Sequence, residues 1–331
     1  MSERVSLPFF TPMFASFNSS IATGLALGKN TNAEIQLLNQ ITDLSCDRKF
    51  LKGYTTPEIW LPRIHPSSIQ NLLRYTISLR FVGDYIHEII HSIIDDGFYA
   101  YLSNLDDYYL PGKSWYGTKH MSHDGTICGY NDTNGTYEVA AYDMNWNYRL
   151  IAISQESYTE SLIYSLEQNL NPTIIAIKAK DTLIKLDVKG ISEKLTKYLK
   201  SDFTLFPKEK SGRVSGIVVH DYLSMYFEKI IDNSISYENI DWRPMRAIWE
   251  FRVCMLRRIQ AIEKELNLDS TLSSQYAPIL EETNRLRMLY AVYTKKRKDA
   301  LLLSVKNGIL SLKDQEKIVL ENLISKIEEK L

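Results

Sequence analysis

Cysteine is scarce in this chain and is not arranged for bonding. Cys46, Cys128 and Cys254 are the only three in 331 residues, and they lie far apart with no CxxC pair. That excludes a zinc ribbon and a disulfide framework, and it suits a reducing cytoplasm. An excess of one charge is also missing, since 39 Lys plus Arg stand against 40 Asp plus Glu. Without a basic stripe there is no electrostatic footprint for nucleic acid. No apolar run reaches the roughly 18 residues that would cross a bilayer. The polar, charged start Met1–Leu7 has no signal-peptide core. The expectation is a soluble, cytoplasmic protein with neither nucleic acid nor membrane as partner. What remains is an ordinary globular composition, 44% hydrophobic and 24% charged, with no internal repeat. The chain is long enough for two domains.

The pattern along the chain changes twice. Asn18, Ser19 and Ser20 are cap-type residues before the helix-compatible IATGLAL, and Gly28 is a stop. A second helix is expected from Asn32 to about Cys46, and one or two more over 67–96. In the latter, Val82, Ile86, Ile89, Ile90 and Ile93 make a 3.6-residue stripe. Strand-like segments follow at 98–102, 124–130, 136–142 and 147–153, with Asn134-Gly135 as a hairpin signal. Helices before a run of antiparallel strands give an α+β class. A helix (158–167), a strand (173–178) and a helix (191–200) lead to a polar linker at 201–216. From Val218 onward nearly everything reads as long amphipathic helix.

The chemistry-bearing stretch is HMSHDGTICGYNDTNGTYEVAAYD, residues 120–143. His123 opens one strand and Asp143 closes its hairpin partner, so the two are neighbours in space. A carboxylate there would accept the ring N–H, fix the tautomer and stabilise the imidazolium, as a general base requires. A His and an Asp at hairpin ends are also common as plain loop residues.

The segment from His123 to Asp143, with Gly129 six residues after the His, resembles the His-strand-Gly-turn-strand-Asp portion of papain-like enzymes. With FNSSIATGL (17–25), LDDYYLPG (105–112) and NIDWRPMRAIWEFRVCMLRRI (239–259), the chain resembles the butirosin-biosynthesis protein H family of acyltransferases. Within that class the closthioamide-type amide synthetases are similar. The resemblance implies a papain-like cysteine-protease-type domain, N-terminal helices plus antiparallel sheet, over 1–205, followed by an all-α helical domain over 206–331. It implies an acyl group delivered on the phosphopantetheine arm of a carrier protein, a covalent acyl-enzyme, and an amine acceptor, with no resident cofactor. His123 would be the base and Asp143 its orienter. The family's nucleophilic Cys falls on Ser19, and Asn18 would help an oxyanion hole. Serine at 19 reads as a working nucleophile, as a replacement for Cys, as lost activity, or as a helix N-cap.

Other residues compete for a role. Cys46 is an alternative nucleophile, placed at a helix C-terminus where the dipole disfavours a thiolate. Cys128 and Cys254 read as core. His87-Glu88-Ile89-Ile90-His91 matches HExxH, so His87 and His91 could share a zinc with Glu88 as base, completed by Asp106, Asp107 or His120. The plain alternative is the solvated face of an amphipathic helix. His65 and His220 read as surface or loop residues. Arg243, Arg246, Arg252, Arg257 and Arg258 suit either a packed helix or a docking face for an acidic carrier protein. A final helix from about Leu312 to Leu331 would pack antiparallel or form a homodimer.

Overall fold

The computed structural model describes residues 4–11, 22, 24–26, 28, 31–52, 57, 59–61, 72–145, 147–180, 183–202, 212–236, 238, 240–241 and 243–331. Ser19, Asn18 and His65 lie outside the described residues. In chain order the elements are β1 (Arg4–Ser6), α1 (Thr31–Gln40), β2 (Ser45–Asp47), β3 (Ile59–Trp60), β4 (Leu72–Ser78), α2 (Ile86–Asp95) and β5 (Tyr99–Asp106). There follow β6 (Ser122–Asn131), β7 (Thr136–Tyr142), β8 (Tyr148–Ser154), α3 (Gln155–Glu167), β9 (Thr173–Ala179), α4 (Val188–Lys200) and β10 (Arg213–Ser215). Four long helices end the chain: α5 (Val219–Ile231), α6 (Arg243–Glu265), α7 (Thr271–Lys296) and α8 (Asp299–Lys330). The class is α+β, and every described strand pairing is antiparallel.

The chain forms two compact units, Met1–Ala33 with Ile64–Leu183, and Glu34–Arg63 with Ile184–Leu331. This differs from the expected division at 205/206. The second unit takes in 34–63 as well as α4, because a segment distant in sequence returns to pack there, which local pattern does not encode.

The first unit is built on a sheet of order β4-β9-β5-β6-β7-β8, with β1 pairing β6 beyond the end of β5. The β6–β7 hairpin pairs Asn131 with Thr136 across a loop in which Gly135 takes φ +58. Such a left-handed position is what glycine supplies without strain. Gly129 is required for a different reason: a Cβ there would collide with the Val5 carbonyl oxygen and the Ser6 backbone, so only glycine lets β1 lie against β6. Of the predicted stripe, Val82, Ile86, Ile90 and Ile93 are buried and Ile89 is partly buried; with Ile94 they pack into one core with Ala100, Leu102, Ile127, Val139 and Ile153 of the sheet. Helix α3 starts at a Ser154 cap and contributes Tyr158 and Leu162 to the same core.

The second unit is not all-α: β2, β3 and β10 make a three-stranded sheet beside the helices. Three elements also depart from expectation. Residues 72–78, expected as helix, are strand β4, held by seven residue pairings with β9. Helix α1 stops at Gln40, so Cys46 sits on β2 rather than at a helix end. The last helix begins at Asp299, thirteen residues before the expected start. In contrast, Ala22 and Gly24–Ala26 are helical and Gly28 ends that turn at φ +74, as the sequence indicates.

Candidate active site

Strand β5 ends at Asp106 and Asp107 follows it directly, two carboxylates only 1% and 2% exposed. Buried carboxylates must be partnered, and here each one holds an imidazole. Asp107 Oδ2 lies 2.5 Å from His123 Nδ1, and Asp106 Oδ2 lies 2.6 Å from His120 Nδ1. His123 lies at the start of β6 and His120 two residues before that strand, which pairs with β5 through Leu105–His123 and Asp106–Ser122. Asp106 is fixed further: its Oδ1 accepts the backbone N–H groups of Tyr108 and Met121. The Ser161 hydroxyl of α3 accepts the Asp106 N–H and donates to its carbonyl.

Asp107 opens a single turn of 3-10 helix, Asp107–Tyr109. Its second oxygen, Oδ1, has no hydrogen bond among the described residues but faces the Lys113 ammonium at 3.6 Å. That is ion-pair distance, with both side chains more than nine-tenths buried. One Asp107 oxygen thus meets the imidazole and the other a buried cation, so both sides of the carboxylate are occupied. His123 is 41% exposed, and its Nε2 has no partner among the described residues. A ring tied through Nδ1 to a carboxylate presents a lone pair at Nε2, which is the atom a general base uses.

Asp143 does not orient His123, contrary to the sequence reading. The hairpin does carry both toward one end of the sheet, since the Thr126–Ala140 pairing runs toward His123 on one strand and Asp143 on the other. Yet the Asp143 carboxylate is occupied elsewhere. Its Oδ1 accepts the N–H groups of Asn145 and Asn147 at 2.8 and 2.9 Å, and its Oδ2 pairs with Arg149 at 2.8 Å. The Asn147 and Asn145 amides, aided by Arg149, hold its pKa below the usual carboxylate range. Its role is to pin the β7–β8 turn. The Met144 N–H donates to the Gly112 carbonyl and the Ser114 hydroxyl to the Asp143 carbonyl, so that turn braces the loop that carries Lys113.

No protein-family model matches the chain, and no curated protein matches its sequence.

The competing sites meet physical objections. Cys46 belongs to the second unit, is 0% exposed, and burial pushes its thiol pKa far up. Such a group does not serve as a thiolate nucleophile. Cys128 and Cys254 are also fully buried, as expected of core residues. In α2 the HExxH histidines engage separate partners. His87 Nδ1 lies 2.6 Å from the Tyr137 hydroxyl and its Nε2 3.0 Å from Thr159, so both ring nitrogens are taken. His91 stacks on Tyr130 at 3.9 Å and meets Gln155. Among the described residues no group of three His, Cys, Asp or Glu could hold a metal ion. The face expected to be solvated is half-buried at both histidines.

Among the arginines, Arg252 and Arg258 are 0% exposed and so unavailable to a carrier protein. Arg252 pairs with Glu316, while Arg258 donates to the Leu38 and Ile41 carbonyls at the end of α1. Arg243 and Arg257 are exposed and pair with Asp241 and Glu34. Arg246 is mostly buried and pairs with Glu250. His220 is fully buried in α5, not a surface residue. Among the described residues no helix is long and apolar enough to cross a membrane.

The sequence offered Asp106, Asp107 or His120 as a third zinc ligand beside His87 and His91. It did not anticipate their pairing with one another and with His123. The signal was the Asp-Asp-Tyr-Tyr run directly after a strand, a place where carboxylates face a neighbouring strand start.

Proposed function

We propose that the chain is a papain-like acyltransferase that moves an acyl group from a carrier-protein thioester to an amine, with His123 as general base oriented by Asp107. The observation that carries this reading is the His123 Nδ1–Asp107 Oδ2 contact of 2.5 Å on a side chain that is 41% exposed and whose Nε2 has no partner among the described residues. The Asp107 carboxylate fixes the tautomer and stabilises the imidazolium formed when Nε2 takes a proton. Lys113 faces the other oxygen of that carboxylate at 3.6 Å. The antiparallel sheet, the His-opened strand β6 and Gly129 agree with the family resemblance.

In this reading Ser19 is the nucleophile and Asn18 an oxyanion donor, positions supplied by the resemblance. His123 removes the Ser19 hydroxyl proton as Oγ attacks the thioester carbonyl, and the carrier's thiol leaves. The amine then attacks the acyl-enzyme and releases the amide.

Intact-mass measurement after incubation with an acyl-carrier thioester tests it. An acyl adduct is expected on the Ser19 peptide, forming faster on a Ser19→Cys form, absent in His123→Ala, and discharged by added amine. No adduct in either form, or an adduct that persists undiminished in His123→Ala, overturns the reading.

A further inference from the structure

The second imidazole, His120, repeats the arrangement of the first. Its Nδ1 is held at 2.6 Å by a carboxylate that is 1% exposed, and its Nε2 has no partner among the described residues. It is 46% exposed although both ring faces are covered, by Tyr108 at 4.4 Å and Tyr164 at 4.3 Å. With the faces and Nδ1 occupied, the exposed part of the ring is the edge that carries Nε2. The stack fixes where that edge points, and Tyr109 packs against the same pile. A chain spans at most about 3.5 Å per residue, so the Cα atoms of His120 and His123 are within about 10 Å. Consecutive carboxylates thus present two oriented imidazole edges at one end of one sheet.

We propose that His120 is a second catalytic acid–base, acting on the thioester sulfur and the incoming amine while His123 acts on the nucleophile. The proposal rests on the acyl-transfer reading above. In acylation, His123 takes the Ser19 proton as the Oγ–C bond forms. Protonated His120 gives its proton to the departing sulfur as the C–S bond breaks, so the carrier leaves as a thiol. In transfer, neutral His120 takes a proton from the amine as the N–C bond forms. Protonated His123 then returns a proton to Oγ as the O–C bond breaks. Both histidines finish as they began, and sulfur and nitrogen use the same position in turn.

Such a pair requires one imidazole neutral and the other protonated, which gives a bell-shaped rate profile with pH. Among the described residues, the charged and titratable groups in contact with His120 are Asp106 from β5, Tyr108 and Tyr109 from the 3-10 turn, and Tyr164 from α3. Those in contact with His123 among the described residues are Asp107 and, through it, Lys113.

The test compares the acylation rates of the full chain and its His120→Gln and Asp106→Asn variants with two small acyl donors, an acetyl alkyl thioester and an acetyl thiophenyl ester. A thiophenolate leaves without being protonated. His120→Gln should lose about 10²-fold with the alkyl thioester, keep the parent rate with the thiophenyl ester, and lose the high-pH limb of the profile. Asp106→Asn should show the same split in weaker form. Equal losses with both donors, or no loss with either, would overturn the role. Failure of the parent itself to be acylated by either donor would overturn the acyl-transfer reading and this proposal with it.

Discussion

In the helical unit, His220 is fully buried and both its ring nitrogens are used: Nδ1 donates to the Ile217 carbonyl at 2.9 Å and Nε2 accepts from Arg252 at 3.1 Å. In the sheet unit, His120 and His123 each have one nitrogen bound to a carboxylate, a partly exposed side chain, and a second nitrogen with no partner among the described residues. The two regions use the same residue types for opposite ends. The helical network is closed, with Arg252 also bonded to Glu316 at 2.9 Å and Thr283 at 2.7 Å, and Glu316 accepting from Tyr276 at 2.8 Å. Closure satisfies every buried charge, and that serves structure. The pairs at the sheet end are satisfied only on their inner side. A polar cluster that stops short of closure at the surface has hydrogen-bonding capacity left for something other than the protein.

The comparison breaks most sharply at Asp107. Asp107→Asn should lower the acyl-transfer kcat by about 10³–10⁴-fold through the wrong tautomer, whereas Asp143→Asn should leave kcat unchanged and lower the melting temperature. Steady-state rates and thermal melts on both variants decide this, and the reverse pattern would restore Asp143 as the orienter.

Next in size is the closed network. Glu316→Gln removes the anion opposite a buried Arg252 and should destabilise the chain by about 3–5 kcal/mol in urea denaturation, with the proposed acyl transfer by the folded chain unaltered.

The same network should respond to acid. Burial first, and Arg252 second, pull the His220 pKa down from 6.5 to about 4. The unfolded chain therefore binds the proton more readily than the folded one. Stability is full above pH 6.5 and is lost as pH falls through about 4. The loss is on the order of 3 kcal/mol, and a His220→Gln form should show a flatter dependence over that window in denaturant midpoints against pH.

The smallest effect belongs to Lys113. Lys113→Met leaves Asp107 Oδ1 without its cation and should cost about 1–3 kcal/mol of stability, with a fall in kcat where Asp143→Asn shows none.

Much of this was legible in local pattern. The β6–β7 hairpin, the α2 stripe and the terminal helices follow from two-fold and 3.6-fold spacing, glycines and caps, all short-range properties. Strand β4 was not legible. Its exposed Leu73, Arg74, Tyr75 and Thr76 carry no buried periodicity, and it is a strand because β9 supplies the backbone partners. For the site, His123 was legible as the residue that opens a strand before a hairpin. Its partner was misplaced because two acidic residues lie within reach of that strand start, one across β7 and one across β5. Adjacency in a sheet does not say which side chain turns inward.

By itself, then, the sequence determined the α+β class, the hairpin that carries His123 and the helical end of the chain, because each depends on interactions a few residues long. Only the tertiary structure decided that Asp107 rather than Asp143 meets the imidazole, that residues 34–63 join the helical unit, and that His220 and Arg252 are sealed inside it. Those outcomes depend on which distant segments compete for the same backbone and the same buried charge, and that competition is settled only when the chain packs.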